Sequence, residues 1–85
     1  MHPTRFENTS EHPLALYLEP WGMDYWLLTG DIFDVVPAAD AADDFHLHVV
    51  HSGDAIQVYV EGAGGATVCR DGVELPCGFQ RPDSP

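Results

Sequence analysis

The stretch Phe45-His46-Leu47-His48-Val49-Val50-His51-Ser52-Gly53-Asp54-Ala55-Ile56-Gln57-Val58-Tyr59-Val60-Glu61 decides the fold. Its two arms alternate apolar and polar residues, the period of two that belongs to extended backbone, in which successive side chains leave opposite faces. Folded as one β-hairpin, it places Phe45, Leu47, Val49, Ile56, Val58 and Val60 on one side and His46, His48, Gln57, Tyr59 and Glu61 on the other. One side is fit for a core, and the other carries imidazoles, an amide, a phenol and a carboxylate. A turn at Ser52-Gly53 sets His46 opposite Tyr59 and His48 opposite Gln57, with Glu61 diagonal to His46 and His51 aimed away from that pair.

The same period recurs outward from this hairpin. Leu14, Leu16 and Leu18 alternate with Ala15, Tyr17 and Glu19, a half-buried strand that Pro20-Trp21-Gly22 stops. Residues 24–28 and 31–36 flank Thr29-Gly30 as a second hairpin with large apolar groups on both faces. Asp71-Gly72 is a two-residue hairpin signal that pairs Arg70 with Val73, Cys69 with Glu74 and Val68 with Leu75. Residues 38–44 are the one helix-compatible stretch, too short and too acidic to hold a helix, and are expected as an exposed loop. About seven short strands joined by turns predict an all-β fold, a small antiparallel sandwich or partly closed barrel. The expected organisation is an arm over 1–13 with an edge strand anchored by Phe6, an all-β domain over 14–77, and a mobile tail over 78–85 with little to bury.

Composition narrows the functions. At 85 residues the chain is one domain whose core is only just sufficient, and 45% hydrophobic content argues against disorder. Fourteen acidic residues face only Arg5, Arg70 and Arg81, a formal net charge of -11 with no lysine. Nucleic acid and anionic lipid are therefore disfavoured as partners, since both require clustered cations. A basic protein partner or a cation is favoured. Without lysine there is no Schiff-base chemistry and no P-loop. No apolar run approaches a membrane span and no export signal stands near the start, so a cytoplasmic, reducing setting is expected, and the use of arginine with no lysine, together with the Ala, Gly and Asp bias, leans towards a bacterial source. Cys69 and Cys77 fall on opposite faces of the last hairpin and are expected as free thiols. Asn8-Thr9-Ser10, formally a glycosylation acceptor, is then turn chemistry.

Two constellations carry chemistry. His46 and His48 project from one face about 7 Å apart, and with Glu61 they would make a zinc or nickel site. The His-x-His strand pair is similar to that of cupins, which implies a small all-β metal domain. The chain departs from that pattern where a glutamate should follow, which here reads Val49-Val50-His51-Ser52-Gly53, and where a glycine should precede, which here is Asp40. Asp40, Asp43 and Asp44 lack the ligand spacing of a calcium loop. Neither cysteine sits among cations, and Ser10, Ser52 and Ser84 have no nucleophile-elbow context, so no catalytic residue is assigned.

The second constellation is aromatic and acidic: Tyr17, Trp21, Tyr25 and Trp26 flank one turn, and Asp40, Asp43 and Asp44 form a charged loop. Aromatic side chains dominate interface hot spots. The run Leu16-Tyr17-Leu18-Glu19-Pro20-Trp21-Gly22, followed by Tyr25, Leu27, Gly30, Phe33, Val35 and Val36, resembles a pattern of short acidic bacterial proteins, which implies a fold and no activity. Together these features predict a non-enzymatic interaction module of adaptor, inhibitor or immunity type. It would engage a basic protein through the aromatic and acidic surface, or a second copy through its sheet edges. The alternative is a metal-binding domain centred on His46, His48 and Glu61.

Overall fold

Wherever the sequence alternates, the chain is extended, and eight strands result: β1 (Thr4–Glu7), β2 (Leu14–Glu19), β3 (Met23–Leu27), β4 (Ile32–Pro37), β5 (His46–Ser52), β6 (Ala55–Glu61), β7 (Ala66–Arg70) and β8 (Val73–Glu74). The computed structural model describes residues 2–82. Among these there is no helix, and the strands form two four-stranded sheets, ordered β1-β4-β7-β8 and β3-β2-β6-β5. The protein is a small all-β sandwich. Its core joins Phe33, Val35 and Val68 of the first sheet to Leu16, Leu18, Tyr25, Leu27 and Val58 of the second, with Leu75 beside them. In each strand these residues share one parity, so the remaining positions face outward.

The chain crosses between sheets instead of completing each locally. β2 and β6 lie side by side and parallel, with Leu16 beside Ile56 and Leu18 beside Val58. β3 pairs with β2, whereas β4 pairs with β1 and β7 in the other sheet. The hairpin expected around Thr29-Gly30 is therefore absent, and that turn carries the chain from one layer to the other. Its backbone groups are claimed by Asn8 before a ladder can form. Gly30 N–H donates to the Asn8 carbonyl at 2.7 Å, Asn8 N–H to the Asp31 carbonyl at 3.1 Å, and the Asn8 side-chain amide to the Leu27 carbonyl at 2.9 Å. Asn8 Oδ1 also accepts from Ser10 N–H at 2.9 Å, the side-chain turn expected of Asn8-Thr9-Ser10.

The β5–β6 hairpin keeps its expected faces with a different register. Its two-residue turn is Gly53-Asp54, so His46 lies opposite Glu61 and His48 opposite Tyr59. Gly53 has φ +57° at the first central position, the place where a type II′ turn requires glycine. A turn at Ser52-Gly53 would instead have asked serine to take positive φ. Partners shift by two residues, an even number, so no side chain changes face. The last hairpin has the expected register, Arg70 opposite Val73 and Cys69 opposite Glu74.

Residues 78–82 are not the loose tail that their prolines suggested; 83–85, the remainder of that segment, lie outside the described residues, as does Met1 of the arm. Trp26 N–H donates to the Phe79 carbonyl at 2.9 Å, and the Gln80 amide donates to the Trp26 carbonyl and to Asp31, both at 2.8 Å. Phe79 meets Phe33 edge-on at 5.8 Å, and the Arg70 guanidinium lies 4.9 Å above its ring. Arg81 Nε donates to the Asp24 carboxylate at 2.7 Å, and its other arm reaches the second oxygen. The segment is a strap along the free side of β3.

Arg81, aided by the Trp26 indole, holds the Asp24 carboxyl well below the usual carboxylate range against the opposing effect of burial. A depressed native pKa means that this contribution is complete above the ordinary value of 3.8 and is lost as pH falls below it. Phe79→Ala should cost about 2–3 kcal/mol in urea unfolding, less than a fully buried phenylalanine would. Asp24→Asn should flatten the acid limb below pH 4. An unchanged midpoint for the first and an unchanged acid limb for the second would show that the strap does not hold the sandwich.

Candidate functional site

The outer face of the second sheet gathers most of the polar and aromatic side chains that the core leaves out. Across it, Trp26 of β3 stands beside Ala15 of β2, which stands beside Ala55 of β6. One residue pair further along, Asp24, Tyr17 and Gln57 follow, and then Glu19 and Tyr59. Two alanines side by side leave a floor with almost no height between larger neighbours. The result is a hollow of about 580 Å³ lined by His12, Pro13, Ala15, Tyr17, Trp26, Asp54, Ala55 and Pro82. Trp26 is half-buried and its indole donates to Asp24 at 2.8 Å, so the ring is anchored. Asp24 is committed to Arg81. Asp54, at the β5–β6 turn, is the carboxylate that lines the hollow.

The aromatic and acidic residues singled out in the sequence do not form one surface. Tyr17 and Trp26 share the hollow. Trp21 is on the β2–β3 turn and 48% exposed. Tyr25 is only 4% exposed and belongs to the core, which removes it from the partner-binding set. The reason is parity: in β3, Met23, Tyr25 and Leu27 point inward while Asp24 and Trp26 point out. Asp40, Asp43 and Asp44 are exposed on the connection between β4 and β5. Because β2 and β6 are parallel, the Trp21 turn and the start of β5 lie at one end of the sheet, and the hollow lies toward the other.

The register brings His46, His48 and Glu61 together more closely than a diagonal would. His46 Nε2 is 3.0 Å from one Glu61 oxygen and His48 Nδ1 is 3.5 Å from the other. His46 Nδ1 faces the Asp44 carbonyl at 2.9 Å. Zinc needs donors converging on one point at about 2.0–2.2 Å. Here one carboxylate stands between the two rings, and among the described residues no three His, Cys, Asp or Glu side chains are arranged to hold a metal ion. In this trio His46 hydrogen-bonds the Asp44 carbonyl and Glu61, which ties the end of the acidic connection to β6, and His48 stands 3.5 Å from the other carboxylate oxygen. Both thiols are free. Cys69 Sγ lies 3.8 Å from Thr67 and Cys77 Sγ 3.6 Å from Asp24.

Asn8, Gln80 and Arg81 were not singled out for the roles they hold. Asn8 carried a visible turn signal, but its bond to Leu27 spans 19 positions, and Arg81 reaches Asp24 across 57. No local pattern encodes such pairings. No family model, no curated protein and no solved structure matches the chain.

Both His46 ring nitrogens face oxygen acceptors, so the doubly protonated ring satisfies both. The Asp44 carbonyl, then Glu61, raise its pKa above 6.5. The tie is therefore complete below pH 6.5 and weakens as pH rises through the raised native value. In an NMR titration the His46 ring should titrate above 6.5, and Glu61→Gln should move its midpoint down. A midpoint indifferent to Glu61→Gln would show that the trio does not form.

Proposed function

We propose that the protein is a non-enzymatic interaction module that binds a basic protein by seating an arginine or lysine side chain in the hollow between Tyr17 and Trp26. The supporting observation is the hollow itself: an alanine floor, aromatic and proline walls, and the Asp54 carboxylate at the β5–β6 turn. A cation over an aromatic face gains about 0.5–2 kcal/mol, more when desolvated. The rest of the chain favours the same ligand. All three arginines are spent internally, Arg5 on Asp34, Arg81 on Asp24 and Arg70 over Phe79, within a net charge of -11. A basic partner is then drawn in by the whole field and held by the aromatic contact. Trp21 and the Asp40, Asp43, Asp44 connection, toward the other end of the sheet, supply a second contact for a partner long enough to span it.

An adaptor, inhibitor or immunity protein of bacterial type fits this chemistry. The setting that suits it is cytoplasmic, in keeping with two free thiols. No helix among the described residues is long and apolar enough to cross a membrane.

Titration with an acetylated, amidated tetra-arginine peptide should shift the Trp26 indole and Tyr17 signals, and the affinity should fall with added salt. Tyr17→Ala combined with Asp54→Asn should weaken binding at least ~10-fold, equivalent to about 1.4 kcal/mol. Trp21→Ala and neutralisation of Asp40, Asp43 and Asp44 should each cost less. Equal binding by a tetra-glutamate peptide, or shifts that leave Tyr17 and Trp26 unmoved, would refute this assignment.

A further inference from the structure

The two sheets end on four strands, β1, β8, β3 and β5. An edge strand presents a row of unpaired N–H and C=O groups, and proteins blunt such edges with short strands, prolines, charges, bulges or covering segments. Three of the four edges are blunted. β8 has two residues. β3 is covered by the strap, with Trp26 N–H bonded to Phe79 and Gly78 N–H to Asp24. β1 has four residues, follows Pro3 and carries Arg5 and Glu7.

Among the described residues β5 has none of these devices. It runs seven residues, His46-Leu47-His48-Val49-Val50-His51-Ser52, without proline, glycine, lysine, arginine or carboxylate. Its pairing with β6 is unbroken from His46 to Ser52, so no bulge twists it aside. It is also bare on both faces, with Val49 44% and Val50 36% exposed. On the core side the sheets stand apart beneath it and leave a cleft of about 460 Å³, whose lining includes Thr4, Pro37, Phe45, Leu47 and Val49. Carboxylates stand around the strand: Asp43 and Asp44 before it, Asp54 after it, and Glu61 on the neighbouring strand.

We infer that the free edge of β5 is a strand-addition site for an extended, basic segment of a partner protein. It rests on the basic-partner reading above and adds a second, backbone-mediated contact to it. The added strand hydrogen-bonds along β5, its inward side chains cover Leu47 and Val49 over the cleft, and its cations meet the aspartates at either end. A second copy of the chain is the weaker occupant, because it brings a further net charge of -11 to the same edge.

The test uses two nine-residue acetylated and amidated peptides, one alternating Lys and Val and one alternating Glu and Val, with amide NMR shifts and hydrogen exchange of the full chain. The Lys–Val peptide should shift residues 46–52 and slow amide exchange along β5; the Glu–Val peptide should do neither. Val49→Lys, which puts a charge over the cleft, should weaken the Lys–Val peptide at least tenfold. Val49→Thr, which keeps a neutral β-branched side chain, should stay within threefold, and urea unfolding of both variants establishes that they fold. Shifts confined to Tyr17 and Trp26 would overturn strand addition and leave the hollow as the basic-ligand site. Shifts along β5 with the hollow silent would uphold strand addition and remove the hollow. No shift at either place would end both. Equal binding of the two peptides, or a dimer of the protein alone that Val49→Lys dissolves, would overturn the basic segment as occupant.

Discussion

The parallel contact between β2 and β6 is the constraint from which the rest of the molecule follows. It sets Leu16 beside Ile56 and Leu18 beside Val58, and Leu16, Leu18 and Val58 are fully buried. A slip of one residue in either strand would exchange its faces. Each large apolar side chain exposed by such a slip costs about 1.5–3 kcal/mol, and Tyr17 or Gln57 would enter the core unpaired. In a domain whose total stability is about 5–15 kcal/mol, that cannot be tolerated. The same register places Ala15 beside Ala55, which makes the hollow, and leaves β5 outermost.

What was legible in the sequence is what a period of two can carry. The alternation gave the strands, the inward set of β5 and β6, and the all-β class. It also contained the answer for Tyr25: Asp24 and Trp26 flank it, and Met23 and Leu27 share its parity. Grouping Tyr25 with Tyr17, Trp21 and Trp26 by closeness in the chain set that parity aside. The β5–β6 register was likewise within reach, since a II′ turn fixes glycine at its first central position and so selects Gly53-Asp54. Tyr17 and Trp26 were singled out in the sequence among the aromatics that face outward, but the alanine floor that leaves a hollow between them arises only from the pairing of distant strands.

Other features had no local signature. Both strands around Thr29-Gly30 are apolar on both faces, so a hairpin and a crossover look alike until Asn8 takes the turn's backbone groups. The strap is similar. Residues 78–82 hold one large apolar side chain, Phe79, and nothing nearby shows that Phe33 and Arg70 will close on it or that Asp24 will need Arg81. Chain entropy opposes ordering such a segment, at about 1–2 kcal/mol per residue for the backbone. It is ordered because it satisfies the outer edge of β3 and neutralises a carboxylate that the fold has nearly buried, and both needs are created by tertiary structure.

The charge distribution explains how one long edge can remain without a local guard. Most edges are protected where they stand, by a charge or a proline that makes pairing with any strand costly. A guard of that kind on β5 would exclude every partner alike. A net charge of -11 acts differently, because it discriminates by sign: a second copy approaching edge to edge meets repulsion from many carboxylates, whereas a cationic strand meets attraction from the same groups. Screening limits this field to about 8 Å at physiological salt, so the groups that count are those within reach of the edge. Asp43, Asp44 and Asp54 hold those positions, while Glu61 is taken up by His46 and His48 and the three arginines are turned onto Asp34, Phe79 and Asp24. Collective charge can therefore do for β5 what the strap does for β3, and it leaves the backbone of that strand open to a partner of opposite sign.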